Sequence, residues 1–231
     1  MAHAPVYLDY HATTPVDERV LSAMLPFFSN TFGNAASSTH AWGWQAKDAV
    51  EQARREVAAT IRATAREITF TSGATESNNM ALRGVAAVAP PTRRHMIVSA
   101  IEHKSVLEVS HRLERDGWRT TVIPVRHDGI IDLAALAALV DDATAIISVM
   151  AANNEIGVVQ PLGEIAEIAH RHGALLHVDA AQAVGKIPMD VVASDIDLLS
   201  LTAHKIYGPK GSGALFIRRR LEIEPLIVGG G

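Results

Sequence analysis

The stretch DLLSLTAHKIYGPKGSGALFIR, residues Asp197–Arg218, holds two β-rich apolar runs, Asp197–Leu201 and Gly213–Arg218, on either side of a glycine-rich polar loop. Parallel neighbours need a crossover of a dozen or more residues, usually a helix. This loop is too short for one and has no helical periodicity. The last strand is therefore expected to run antiparallel or to lie elsewhere in the sheet. Working upstream, further strand patterns fall at Ile68–Thr71, His95–Ala100, Arg119–Val125, Thr144–Met150 and Ala174–Val178. Helical patterns fall between them at Glu76–Ala89, Lys104–Asp116, Leu133–Val140 and Leu162–His172. That alternation predicts an α/β fold, a mostly parallel sheet with helices on both faces.

Two helical patterns precede the sheet, roughly Val16–Phe28 and Gln45–Ala63, joined by the irregular stretch NTFGNAASSTH. Asp17 and Glu18 suit the start of the first, where acidic groups meet the positive end of the helix dipole. Pro90-Pro91 stops a helix without marking a domain boundary. The chain closes on Gly229-Gly230-Gly231 directly after an apolar segment, which reads as a cut through a loop.

Of the 231 residues, 48% are apolar, enough for a sizeable core. The net charge of −4, with both signs dispersed, leaves no footprint for nucleic acid or an anionic membrane. Arg218-Arg219-Arg220 reads as a solvated strand end. No secretory signal and no apolar run of about 18 residues is visible, so a cytoplasmic protein without a membrane span is expected. The chain has no cysteine, which excludes disulfides, thiolate–metal sites and a cysteine nucleophile from these residues.

Ligands of open α/β sheets bind beyond the carboxyl ends of the strands. The segments following five of the predicted strands are TSGATESNN, IEHKS, AANNEIG, VDAAQ and TAHK, all rich in small polar or ionisable residues. In TSGAT, Gly73, Ala74 and Thr75 can offer backbone N–H groups and a hydroxyl to a phosphate at a helix N-terminus. An ordinary N-cap by Ser72 or Thr75 is the competing reading. Asp179 follows a strand pattern expected to be buried and needs a cationic partner, either a protonated heterocycle or a basic side chain. Gln182 lies three residues on and can reach the same ligand. Lys205, in a partly desolvated pocket, is a candidate for Schiff-base chemistry with an aldehyde. A lysine, an acidic partner and a phosphate cup are what pyridoxal phosphate requires.

Other motifs fail. GPKGSG lacks the Walker order and lies between strands, and TFTSGAT lacks the first glycine of a nucleophile elbow. The eleven histidines contain no H-E-x-x-H, so no metal site is expected.

Six ordered motifs resemble the cysteine desulfurases, specifically the branch serving nitrogenase and iron–sulfur cluster assembly. They are LDYHATTP (Leu8–Pro15), FTSGATESNN (Phe70–Asn79), EHKSV (Glu102–Val106), NNEIGVVQP (Asn153–Pro161), HVDAAQAVGK (His177–Lys186) and AHKIYGPKGSGAL (Ala203–Leu215). The resemblance implies a fold-type I, aspartate-aminotransferase-like large domain over residues 16–231, with segment 1–15 packing near the active site. It implies pyridoxal 5′-phosphate held covalently by Lys205, with His103 stacked on the ring and carrying protons. Asp179 is implied as partner of the ring nitrogen and Gln182 of the ring oxygen, with Asn154 near ring oxygen and substrate. Ala74, Thr75, Thr202 and His204 are implied as the phosphate cup. Relatives often have serine where Thr202 stands, and either hydroxyl can donate to phosphate.

The family's sulfur-accepting cysteine, its substrate-binding arginine and its small domain follow the segment matched here. The expected function is therefore the PLP-binding part of a cysteine desulfurase, converting L-cysteine to L-alanine. Its sulfur would pass as a persulfide to a cysteine on a second polypeptide and then to an iron–sulfur scaffold or other acceptor. A homodimer or heterotetramer is expected. The competing readings are a fragment of a single-chain desulfurase or selenocysteine lyase, and a non-catalytic dimerisation or scaffold protein.

Overall fold

In the computed structural model, residues 5–229 are described; the first four residues of the N-terminal segment and Gly230-Gly231 lie outside them. Seven strands form one sheet: β1 (Ile68–Thr71), β2 (His95–Ser99), β3 (Arg119–Ile123), β4 (Thr144–Met150), β5 (Leu175–Asp179), β6 (Leu198–Thr202) and β7 (Gly213–Ile217). Their order is β1-β7-β6-β5-β4-β2-β3. The pairs from β3 to β6 are parallel, whereas β7 is antiparallel to both β6 and β1. The short glycine loop thus returns the chain beside β6 in the direction its length demands.

Helices α4 (Ala74–Val88), α5 (Lys104–Arg115), α6 (Leu133–Leu139) and α7 (Leu162–Arg171) connect the strands. β4 is buried along all seven residues, as a central parallel strand should be. Its side chains alternate between two cores: Ile147 and Val149 join Ile165, Ala166 and Ala169 of α7, while Ile146 joins Leu82 and Val85 of α4 and Val106 and Val109 of α5. Each such fully buried aliphatic side chain contributes about 1.5–3 kcal/mol. Helices therefore cover both faces, and the carboxyl ends of the strands are left to the loops.

The helical pattern over Val16–Phe28 is corrected by the structure. It divides into α1 (Glu18–Met24), capped by the Asp17 side chain accepting from Arg19 N, and α2 (Pro26–Ser29). Pro26 has no N–H to continue α1, so it begins a new helix at its first position. The next helix starts earlier than its apolar pattern: α3 spans Ala41–Thr60 because His40 caps it, Nδ1 accepting from Gly43 N at 3.2 Å. α1 and α2 bury no residue, and Phe27, Phe28, Phe32, Trp42 and Trp44 are exposed. Among the described residues, no helix is long and apolar enough to cross a membrane.

Candidate active site

The loops after β1, β2, β4, β5 and β6 surround one cavity of about 940 Å³. Ala74, Thr75, His103, Asn154, Asp179, Gln182, Thr202, His204 and Lys205 all line it, so every site residue named from the sequence comes to one place.

The β1–α4 turn is built from the backbone upward. Gly73 has φ +150°, a conformation L side chains rarely adopt, and it precedes α4 with no side-chain cap. The N-cap reading of Ser72 and Thr75 does not describe this turn: Ser72 donates both its N–H, at 2.7 Å, and its hydroxyl, at 2.5 Å, to Glu76 Oε2. The opening N–H groups of a fifteen-residue helix are left for a ligand. Room for the turn depends on β7. A Cβ on Gly213 would stand 2.6 Å from Gly73 Cα, so two glycines allow strand and turn to meet. Thr202 and His204 approach from the β6 end. Burial pulls the His204 imidazole below its usual range, with Lys205 and Lys210 adding repulsion.

Asp179 is buried at the end of β5, where β4 and β6 flank it. Its Oδ1 accepts from Ala181 N at 3.0 Å and its Oδ2 from Asn78 Nδ2 at 2.8 Å. The second Asn78 hydrogen goes to Ser105 Oγ at 2.8 Å, and Ser105 Oγ lies 2.8 Å from His103 Nδ1. His103 caps α5, with Nδ1 accepting from Ser105 N at 3.1 Å. A backbone N–H can only donate, so Nδ1 carries no proton there and the neutral ring holds it at Nε2. A continuous line of hydrogen bonds therefore runs from Asp179 through Asn78 and Ser105 to His103.

Lys205 sits in a short 3₁₀ turn, Ala203–Lys205, after β6. Burial pulls its amine below the usual lysine range, opposed by Asp179 and Asp9. Its Nζ donates to the His11 carbonyl at 2.5 Å, and Gln182 Nε2 donates to the same oxygen at 2.8 Å. Lys186 Nζ in turn donates to Gln182 Oε1 at 2.6 Å, which fixes the amide's direction. The N-terminal stretch is docked by Thr14 N on the His204 carbonyl at 2.8 Å and by His11 Nδ1, 3.0 Å from the Asn154 carbonyl.

Asn78, Ser105 and the His11 carbonyl take part in this site without having been singled out from the sequence. Asn78 and Ser105 stood inside quoted motifs; only the three-dimensional bonding separates them from their neighbours. Among the described residues no cluster suited to a metal ion occurs.

Residues 6–231 match the family described as aminotransferase class-V. The chain is 54% identical over 229 residues to the cysteine desulfurase IscS of Neisseria meningitidis, covering 98% of this chain and 57% of that protein. It is 51% identical to a probable mitochondrial cysteine desulfurase of Dictyostelium discoideum, covering 98% of this chain and 51% of that protein. The chain thus spans just over half the length of these curated relatives. Among solved structures, a NifS-like protein superposes with a TM-score of 0.95 at 42% identity, over 98% of this chain and 62% of that one. SspA in complex with cysteine gives 0.94 at 41% identity, over 97% and 65%. The fold is that of the NifS-like, fold-type I enzymes, whose cofactor is pyridoxal 5′-phosphate. The cavity suits that group: an uncapped helix N-terminus for a phosphate, a buried carboxylate for a protonated ring nitrogen and a half-buried amine for an aldehyde. Fold, cavity and sequence agree, and this protein belongs to the class-V aminotransferase family.

Proposed function

We propose that this chain is the cofactor- and substrate-binding part of a cysteine desulfurase that converts L-cysteine to L-alanine. The observation that carries the reading is the convergence of Lys205, Asp179, Gln182, His103 and the bare α4 N-terminus on one cavity. The likeness to proteins named cysteine desulfurase, and to SspA in complex with cysteine, supports the choice of substrate.

Bound in this cavity, pyridoxal phosphate would supply an electron sink for chemistry at the substrate Cα. Lys205 would hold it through Nζ and would also take and return a proton at the substrate Cα, a task suited to an amine whose proton is loosely held. Asp179, fixed by two donors, would set its carboxylate against the ring nitrogen. Gln182, its carbonyl held by Lys186 and its Nε2 on the His11 carbonyl, would offer that Nε2 to the ring oxygen. Ala74, Thr75, Thr202 and His204 would hold the phosphate, and Asn154 would orient substrate at the ring oxygen. His103 would stack on the ring and carry protons to and from the substrate.

Sulfur leaves by attack of a thiolate on the substrate sulfur. A new S–S bond forms as the C–S bond breaks, and the electron pair stays on the carbon skeleton, which is protonated to alanine. None of the 231 residues is a cysteine, so the accepting thiolate belongs to polypeptide outside them. In our reading a second polypeptide carries it together with the small domain, in a dimer or heterotetramer that delivers sulfur to an iron–sulfur scaffold or similar acceptor. Residues 16–231 are then the PLP-binding large domain, and the described part of the N-terminal segment, residues 5–15, packs near its site. The exposed aromatic surface around α2 and α3 supports such an assembly.

The test is alanine and sulfide release from L-cysteine by the cofactor-loaded protein, with and without the cysteine-bearing polypeptide. Turnover only in its presence is expected. Sustained sulfide release by these residues alone would remove the need for an outside thiol, and no alanine under either condition would overturn the assignment.

A further inference from the structure

Glu102 lies beneath the cavity and has no part in the chemistry above. It follows β2, immediately precedes His103, and is only 6% exposed. Its two oxygens are treated very differently. Oε1 accepts from Ser99 Oγ at 2.5 Å and from Met150 N at 2.6 Å, which ties the end of β2 to the end of β4. Oε2 has no partner, and it is one of two buried side-chain polar atoms without one among the described residues; the other is Asn78 Oδ1.

An ionised carboxylate spreads its charge over both oxygens and needs donors at each. Here both donors converge on one oxygen and none reaches the other, which is the pattern of a carbonyl beside a hydroxyl. We propose that Glu102 is a neutral carboxylic acid with its proton on Oε2, a positioning residue that pins the His103 loop to β4 without placing a second negative charge beside Asp179.

The groups facing Glu102 are Ser99 from β2, the Met150 N–H from β4 and Asp179 from β5. Burial, reinforced by the charge of Asp179 and opposed by the two donors, pushes its carboxyl up to about 8. A neutral acid leaves Asp179 as the single buried anion of the floor. Ionisation would set two carboxylates against one ring nitrogen and change how tightly its proton is held.

This function for Glu102 rests on the proposed cofactor site, whereas its protonation does not. Infrared difference spectra of the cofactor-loaded protein, wild type against Glu102→Gln, separate the two. The neutral-acid carbonyl band is expected in the wild type at pH 6.5, lost in Glu102→Gln and fading from the wild type as pH passes about 8. Glu102→Gln should keep the cofactor's absorbance, and the alkaline change in the wild-type spectrum should be absent from it. Should Glu102→Gln fail to fold, the band can be assigned in the wild type with carbon-13-labelled glutamate. A carboxylate band alone at pH 6.5 would overturn the proposal, as would an identical alkaline change in Glu102→Gln. Absence of any cofactor band in the wild type would instead sink the site reading and leave the Glu102 protonation standing.

Discussion

Asn78 Nδ2 donates to Asp179 Oδ2 at 2.8 Å from the inner face of α4, and its other hydrogen is committed to Ser105. The side chain that steadies Asp179, the proposed partner of the ring nitrogen, is thus the one that steadies the line to His103. Asn78→Ala would leave a buried carboxylate oxygen short of a donor, at a cost of about 1.5–3 kcal/mol, or roughly a ten- to hundredfold loss in affinity for pyridoxal phosphate. Asn78→Asp should lose more, because it sets a like charge against Asp179. Absorbance titration with the cofactor reads both; unchanged affinity in Asn78→Ala would contradict the role.

Gly73→Ala forces a side chain into φ +150°, 3.5 Å from Thr202 Oγ1. Backbone strain of this kind costs about 1–3 kcal/mol. Both the melting temperature and the affinity for pyridoxal phosphate should fall, the second more than in a pyridoxal control lacking the phosphate. An equal effect on the two ligands would separate the turn from phosphate binding.

Two buried groups set opposing slopes in stability against pH. His177 sits between Ser148 Oγ at 2.8 Å and Ser200 Oγ at 3.0 Å, and burial pulls it down to about 3 from 6.5. Below pH 6.5 the unfolded chain takes up a proton that the folded one refuses, so stability falls on acidification until about pH 3. Glu102 behaves oppositely. Its carboxyl is raised from 4.5 to about 8, so the unfolded chain loses a proton that the folded one keeps, and stability falls as pH rises across that window. Each slope is about 1.4 kcal/mol per pH unit. They offset one another between pH 4.5 and 6.5, where the stability contributed by this pair should be flat. Denaturant unfolding across pH checks this, and Glu102→Gln should abolish the decline between pH 6.5 and 8.

The sheet was legible because its strands are short apolar runs separated by helical periodicity, and β7 because its loop cannot hold a crossover. The position of β1 beside β7 was not legible, since that pairing joins segments far apart in the chain. The division of the first helix was written in Pro26, against an apolar pattern that runs through it. For the site, polar residues at strand ends announced Asp179 and Lys205. The motif order added the expectations for His103 and Asn154. Asn78 and Glu102 needed the structure, because a buried side chain that supports another has no spacing of its own. The His11 carbonyl is a backbone atom and leaves no mark in a sequence.

Everything proposed for the chemistry turns on which amine holds the cofactor. Lys205, Lys186 and Lys210 are close enough in the fold to compete, Lys210 lining the same cavity and Lys186 one hydrogen bond behind it. Borohydride reduction of the cofactor-loaded protein, followed by peptide mass spectrometry, locks the cofactor where it is attached. The pyridoxyl mass on the peptide containing Lys205, and its loss in Lys205→Ala, is the predicted result; the mass on Lys186 or Lys210, or on no lysine, would contradict the account.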